Sequence, residues 1–282
     1  MPSCIINGQE MHYLDQGEGA PLLLGHGFLW DSRVWRPQLQ FLSEHFRCIV
    51  PDLWSHGQSQ TVSEGDLSIE RLAEDHHQLM QHLNIDRYSI VGMSTGGLWG
   101  ALLAMKYPDE VASLTLISCS LDNETASTRA EYLQLINAVE SQAELIPEQL
   151  DGLVQINFSA QAQALYPALM ETFRFDLMFL TPEQMSGLAS MGRVLFQRQS
   201  LLDEVASVRC PALIIAGEED AAYSLTQTQA MHDQMPGSQL TVFENAGHML
   251  TLEQPDQVNA ILVDFLASID GVNLDMSKLV FS

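Results

Sequence analysis

Apolar and polar positions along the chain change their spacing in a way that marks off the elements. Ser3 to Gln16 predicts a hairpin, two short strands around Asn7-Gly8, because that pair readily supplies the positive φ angles of a tight turn. After it come short, nearly all-apolar runs at Ala20 to Leu24, Arg47 to Val50, Tyr88 to Val91, Ala112 to Ser118, Ala212 to Ala216 and Leu240 to Phe243. Runs of this kind are expected of strands covered on both faces, and hence of a parallel sheet. Amphipathic stretches lie between them. Ile69, Leu72, Leu79, Met80 and Leu83 repeat at helical spacing, and the apolar run Leu98 to Met105 ends at Tyr107-Pro108, where proline stops a helix. Pro255 to Ile269 predicts a last helix, and the alternation as a whole predicts a mostly parallel sheet with helices on both faces, an α/β fold.

From Asp122 to Ala206 the alternation stops. Helical patterns follow one another, punctuated by Pro147, Pro167 and Pro182, and no strand pattern intervenes. We read this as a helical cap, with 122–206 inserted into a core formed by 1–121 and 207–282. Most of its apolar residues must pack the insertion to itself and to the core. A minority, Met170 and Phe173 among them, are candidates to line a pocket beneath it.

Composition narrows the function classes. Hydrophobic residues at 46% and charged residues at 17% suit a globular chain with a sizeable core. The 36 acidic residues against 12 basic ones leave a formal charge of -24. That field disfavours nucleic acid, anionic membranes and polyanionic substrates, so a small neutral molecule is the expected partner and neither nucleic acid nor membrane is. Cys4, Cys48, Cys119 and Cys210 lack the spacing of a zinc or redox site and read as free thiols. The N-terminal residues do not have the pattern of an export signal, and no run reaches the roughly 18 apolar residues of a membrane span, so a cytoplasmic location is expected. Asn123-Glu124-Thr125 and Asn157-Phe158-Ser159 fit the glycosylation pattern and are read as chance matches.

The strand ending at Val91 runs into Gly92-Met93-Ser94-Thr95-Gly96-Gly97 and then into a helical run, the setting of a nucleophile elbow. A turn this tight strains its central residue and brings the neighbouring chain close, so side chains at positions 92 and 96 would collide. Ser94 is thereby the candidate nucleophile. A serine hydroxyl needs a base, and of nine histidines His248 is the one in a loop after the last apolar strand, at the same sheet edge. His76, His77 and His82 read as solvated or interhelical side chains, and His12, His45 and His232 have no neighbours that suggest chemistry.

An imidazole base needs a carboxylate to fix its tautomer, and Gly217-Glu218-Glu219-Asp220 places Asp220 at that edge, with Glu219 and Asp122 as rivals. The backbone N–H groups of Thr95 and of Phe28, within Gly25-His26-Gly27-Phe28-Leu29-Trp30, are the candidate oxyanion donors, with His26 shaping that loop. Trp30, Trp54, Trp99 and Met249 are weighed as pocket residues against a plain core role.

Together His26-Gly27, Asp52-Leu53-Trp54-Ser55-His56-Gly57-Gln58-Ser59, the elbow at Ser94, Tyr107-Pro108-Asp109-Glu110-Val111, the Gly217 to Asp220 turn and Asn245-Ala246-Gly247-His248 resemble the α/β-hydrolase superfamily, in its branch with a helical cap. The resemblance spans nearly the whole chain and is weakest in 122–206. It implies an eight-stranded sheet, a Ser-His-Asp triad, a pocket between core and cap, and hydrolysis without a cofactor or metal. Relatives usually carry glycine where this chain has Ser55, and those that open epoxides or displace halide carry aspartate where it has Ser94. The expected activity is cleavage of a small neutral carboxylic ester through an acyl-enzyme, with lactone or carbon–carbon cleavage as alternatives. A catalytically inactive sensor of a small ligand is the alternative from another class, and the chain is expected to be a monomer or homodimer. Arg174 and Arg193 are weighed as holders of a substrate carboxylate against ordinary surface arginines.

Overall fold

The structure, a computed structural model, describes residues 2–63, 65, 67–142 and 145–270; residues 271–282 of the expected core lie outside the described set. Its frame is an eight-stranded sheet in the order β1-β2-β4-β3-β5-β6-β7-β8. In chain order the strands are β1 (Ser3–Ile6), β2 (Gln9–Gln16), β3 (Ala20–Gly25), β4 (Phe46–Pro51), β5 (Tyr88–Met93), β6 (Val111–Ile117), β7 (Ala212–Gly217) and β8 (Gln239–Phe243). The hairpin turns at Asn7 and Gly8, with φ of 50° and 81°, and joins the sheet through antiparallel pairing of β2 with β4. From β4 to β8 every pairing is parallel. The mostly parallel α/β sheet is the one expected from the alternation.

The helices are α1 (Arg36–Leu42), α2 (Ile69–His82), α3 (Thr95–Lys106), α4 (Ala126–Gln142), α5 (Pro147–Asn157), α6 (Ala160–Leu165), α7 (Pro167–Met178), α8 (Pro182–Gln197), α9 (Leu225–Gln234), α10 (Leu250–Glu253) and α11 (Pro255–Asp270). Strand side chains alternate between two cores, as a period of two requires. Leu23, Ile49, Ile90 and Ile214 join the core beneath α2, α3 and α9. Leu22, Leu24, Cys48, Val50, Val91 and Ile215 join the one beneath α1, α10 and α11. Each such leucine or isoleucine, removed from water, contributes about 1.5–3 kcal/mol. Helices α4 to α8 fill the interval between β6 and β7, with no strand among its described residues. Several helices begin with a built cap: Thr181 and Gln184 form a capping box on α8, and Ser224 and Gln227 form one on α9.

No helix among the described residues is long and apolar enough to cross a membrane.

Candidate active site

The connections leaving the C-terminal ends of β3, β5, β7 and β8 converge above the sheet. The sharpest is β5 to α3, where Ser94 stands at φ 52° and ψ −115°, in the left-handed half of backbone space that a residue with a Cβ adopts only under constraint. The glycines beside it are there for space. A Cβ on Gly92 would lie 2.4 Å from the Gly96 carbonyl oxygen, and one on Gly96 would lie 2.2 Å from that of Gly25. The loop after β3 passes so near that a Cβ on Gly27 would lie 3.1 Å from Ser94 Cβ. Among the described residues neither the Phe28 nor the Thr95 backbone N–H has an acceptor.

That loop is propped from beneath by two histidines. His26 donates through Nδ1 to the Gly27 carbonyl at 2.8 Å and accepts the Leu53 N–H at Nε2, 2.9 Å. His56 donates through Nδ1 to the Trp54 carbonyl at 2.8 Å and accepts the Leu29 N–H at Nε2, 3.2 Å. An imidazole that donates on one side and accepts on the other is neutral. Burial enforces this, lowering both rings and taking His56 down to about 3. Asp52 completes the scaffold by accepting the Ser32 and Gln58 N–H groups at 2.8 and 2.9 Å.

His248, in the loop after β8, faces the Asp220 carboxylate, with Nδ1 at 3.0 Å from Oδ2 and 3.2 Å from Oδ1. A carboxylate only accepts, so Nδ1 carries the hydrogen, and in the neutral ring the lone pair is on Nε2. Asp220 is fixed in turn by the Ala222 and Tyr223 N–H groups at 2.8 and 3.0 Å. The rival acids are engaged elsewhere: Glu219 accepts the Ala160 N–H at the start of α6, and Asp122 accepts the Asn123 N–H.

Ser94 and His248 line one cavity of about 90 Å³, walled by Phe28, Leu29, Ile136, Tyr223 and Glu124. An apolar recess of about 70 Å³ shares Phe28, Leu29, Leu135, Ile136 and Leu153 with it. A larger groove of about 450 Å³ lies on the other side of Leu29 and takes in Trp30 and Phe173, whose rings stack at 4.5 Å. Trp30 is also held by Asn157, whose side-chain oxygen accepts its indole N–H at 3.0 Å.

The other expected pocket residues lie in the cores. Trp99 is fully buried and stacked 4.0 Å from the His76 ring, because the first turns of α3 direct it toward α2 and under Gly25. Trp54 is buried with its indole N–H on Asp75 at 2.7 Å. Met170 and Met249 pack into the core beneath α11 and border none of the three cavities. His76 and His77 are buried between helices and not solvated, His77 stacking on Tyr107 at 3.7 Å. Arg174 and Arg193 pair with Asp151 and Glu140 on the surface.

Three buried groups at the site went unassigned from sequence: His56, Glu124 and Glu253. His56 repeats the His-Gly pairing of His26-Gly27, and that echo was the available signal. Glu253 accepts the Gly247 N–H at 3.0 Å and the Ser159 N–H at 3.3 Å, tying the His248 loop to the start of α6. Burial pushes its carboxyl up against the pull of those bonds. Among the described residues no group of three or more His, Cys, Asp or Glu side chains is placed to hold a metal ion.

The sheet order and the convergence of these connections define the class of protein. The sequence pattern of the alpha/beta hydrolase fold family matches residues 20–255, and the chain belongs to that family. Within it, the chain is 26% identical over 264 residues to the (E)-2-((N-methylformamido)methylene)succinate hydrolase of Acinetobacter baylyi, covering 92% of this chain and 95% of the relative. It is 30% identical over 256 residues to the putative carbamate hydrolase RutD of Escherichia coli, covering 88% and 90%. Among solved structures it is similar to a thermophilic esterase from Thermogutta terrifontis, with a TM-score of 0.87, 27% identity and coverage of 95% and 99%. It is also similar to an enol-lactonase from Burkholderia xenovorans, with a TM-score of 0.85, 27% identity and coverage of 94% and 100%.

Proposed function

We propose that the protein is a serine hydrolase that cleaves a small, neutral carboxylic ester, with Ser94 as nucleophile, His248 as base and Asp220 orienting the imidazole. The observation that carries this reading is the Asp220 carboxylate on His248 Nδ1, which leaves Nε2 as a base beside the cavity that Ser94 also lines. In the reaction Nε2 takes the Ser94 proton as Oγ attacks the carbonyl carbon. The tetrahedral oxyanion settles on the Phe28 and Thr95 N–H groups, and the imidazolium returns its proton to the departing alcohol. Water then repeats the cycle on the acyl-enzyme. The small cavity and its apolar recess favour a short to medium acyl chain, and 122–206 acts as the cap over it.

The test is turnover of p-nitrophenyl butyrate together with labelling by a fluorophosphonate. Ser94→Ala and His248→Ala are each expected to lower kcat by about five to six orders of magnitude, since members of such a unit fail together. Asp220→Asn is expected to cost about four orders, and Asp122→Asn less than about threefold. Wild-type protein that neither turns over esters nor takes the label would instead be a ligand sensor. Preference for lactones or carbamates over open esters of equal size would redirect the substrate class without moving the roles.

A further inference from the structure

We propose that Glu124 is a specificity-determining residue, its carboxylate accepting a hydrogen bond from an uncharged hydroxyl or N–H group on the leaving half of the substrate. This rests on the ester-hydrolase reading above. Glu124 follows β6, is 7% exposed, and is, among the described residues, the one acidic side chain lining the cavity of Ser94 and His248. Its Oε1 accepts from Arg198 Nη1 at 3.2 Å. Arg198 is itself anchored by the carbonyls of Leu195, Ser120 and Asp122, at 2.8, 3.3 and 2.5 Å, so the cation is fixed and holds the carboxylate at the wall. The ion pair is a single contact. Among the described residues Glu124 Oε2 has no hydrogen-bond partner.

An acceptor of full charge set among the apolar side chains of Phe28, Leu135, Ile136, Leu153 and Leu195 sorts its occupants. A ligand group without a donor leaves the oxygen stripped of water and unpaired, whereas a donor satisfies it with a charge-assisted bond. A carboxylate in the same place is repelled. The side of the substrate follows from Tyr223, which lines the same cavity with its ring 5.7 Å from that of His248. Burial raises the Tyr223 hydroxyl while the charges of Arg198 and Glu124 act on it in opposite senses, which puts Tyr223 in the field of the ion pair. His248 must protonate the departing group, so that group lies on the imidazole and Tyr223 side, and the acyl chain takes the apolar recess.

The experiment compares kcat/KM for propyl butyrate and 2-hydroxyethyl butyrate, matched in heavy atoms, with propyl 3-hydroxybutyrate as the acyl-side control. Wild-type protein is expected to prefer the 2-hydroxyethyl ester by about tenfold or more and to gain nothing from the acyl-side hydroxyl. Glu124→Gln is expected to cut that preference severalfold. The double variant Glu124→Leu/Arg198→Met replaces the buried pair by apolar groups, a change cores commonly tolerate, and is expected to abolish it. Equal turnover of the two esters by wild type, a preference retained in the double variant, or a preference for the acyl-side hydroxyl overturns the assignment and leaves the hydrolase standing. Absence of any Ser94-dependent turnover brings down both.

Discussion

Ser55 stands at φ 65° with its side chain buried. Its Oγ accepts the Val62 N–H at 3.1 Å, and a Cβ on Gly187 of α8 would lie only 2.6 Å from it. Ser55→Gly relieves the positive φ and loses one bond, so its net effect on unfolding free energy is expected to stay within about 1 kcal/mol. Gly187→Ala is expected to destabilise by about 1–3 kcal/mol through overpacking, and less in the Ser55→Gly background. A double-mutant cycle in urea measures this coupling; additive effects would mean that the two positions do not touch. At this scale the sequence was readable in position: His248 Nδ1 lies 3.0 Å from Asp220 Oδ2, and Ser94 and His248 line one cavity. Glu124 and Arg198 escaped because their relation joins residues 74 positions apart, with no motif that links them.

Helices α2 and α3 meet through His76 on Trp99, and His76 Nδ1 donates to the Leu72 carbonyl. Burial holds this imidazole neutral down to about 4, and it does the same for His56 to about 3. In the unfolded chain histidine takes a proton near pH 6.5. Below that pH the unfolded state binds protons that the native interior refuses, so this stability is complete above about 6.5 and drains away as pH falls toward 4 and 3. Urea midpoints are therefore expected to drop between about pH 6.5 and 4.5, and His76→Phe to make the fall shallower by about 1.4 kcal/mol per pH unit. An unchanged slope would show that His76 is protonated in the native state. Strand bounds agreed with the apolar runs to within two residues, because strands covered on both faces announce themselves; β8, at the sheet edge, is largely uncovered. The helix of Trp99 was also visible, but its rotation about its own axis is set by α2 and Gly25, and a nearly all-apolar helix carries no amphipathic stripe to reveal it.

Across the whole molecule the order of the strands was not read from the sequence, whereas the parallel character of the sheet was legible because short apolar runs alternating with helical patterns specify it. The packing of α4 to α8 was not, since helices without intervening strands have no register to count. The formal charge of -24 is likewise a property of the entire surface and opposes compactness by self-repulsion. Raising sodium chloride from about 20 to 200 mM is expected to lift the thermal midpoint by about 3 °C, as screening shortens the reach of that field. Scanning calorimetry at fixed pH reads it, and a midpoint that falls with salt would show that favourable ion pairs outweigh the repulsion.

Asn157 is where the parts of the molecule are buttoned together. Its carbonyl accepts the Met249 N–H beside His248, its side-chain oxygen takes the Trp30 indole, and its amide nitrogen is spent on Leu153. The same asparagine heads Asn157-Phe158-Ser159, which an oligosaccharyltransferase reads while the polypeptide is still being threaded through a eukaryotic secretory route. A sugar attached there would occupy the nitrogen and wedge the joint open. Production by secretion from yeast would accordingly yield a glycoform unable to close, whereas a host without that enzyme, or a carrier of Ser159→Ala, would be spared.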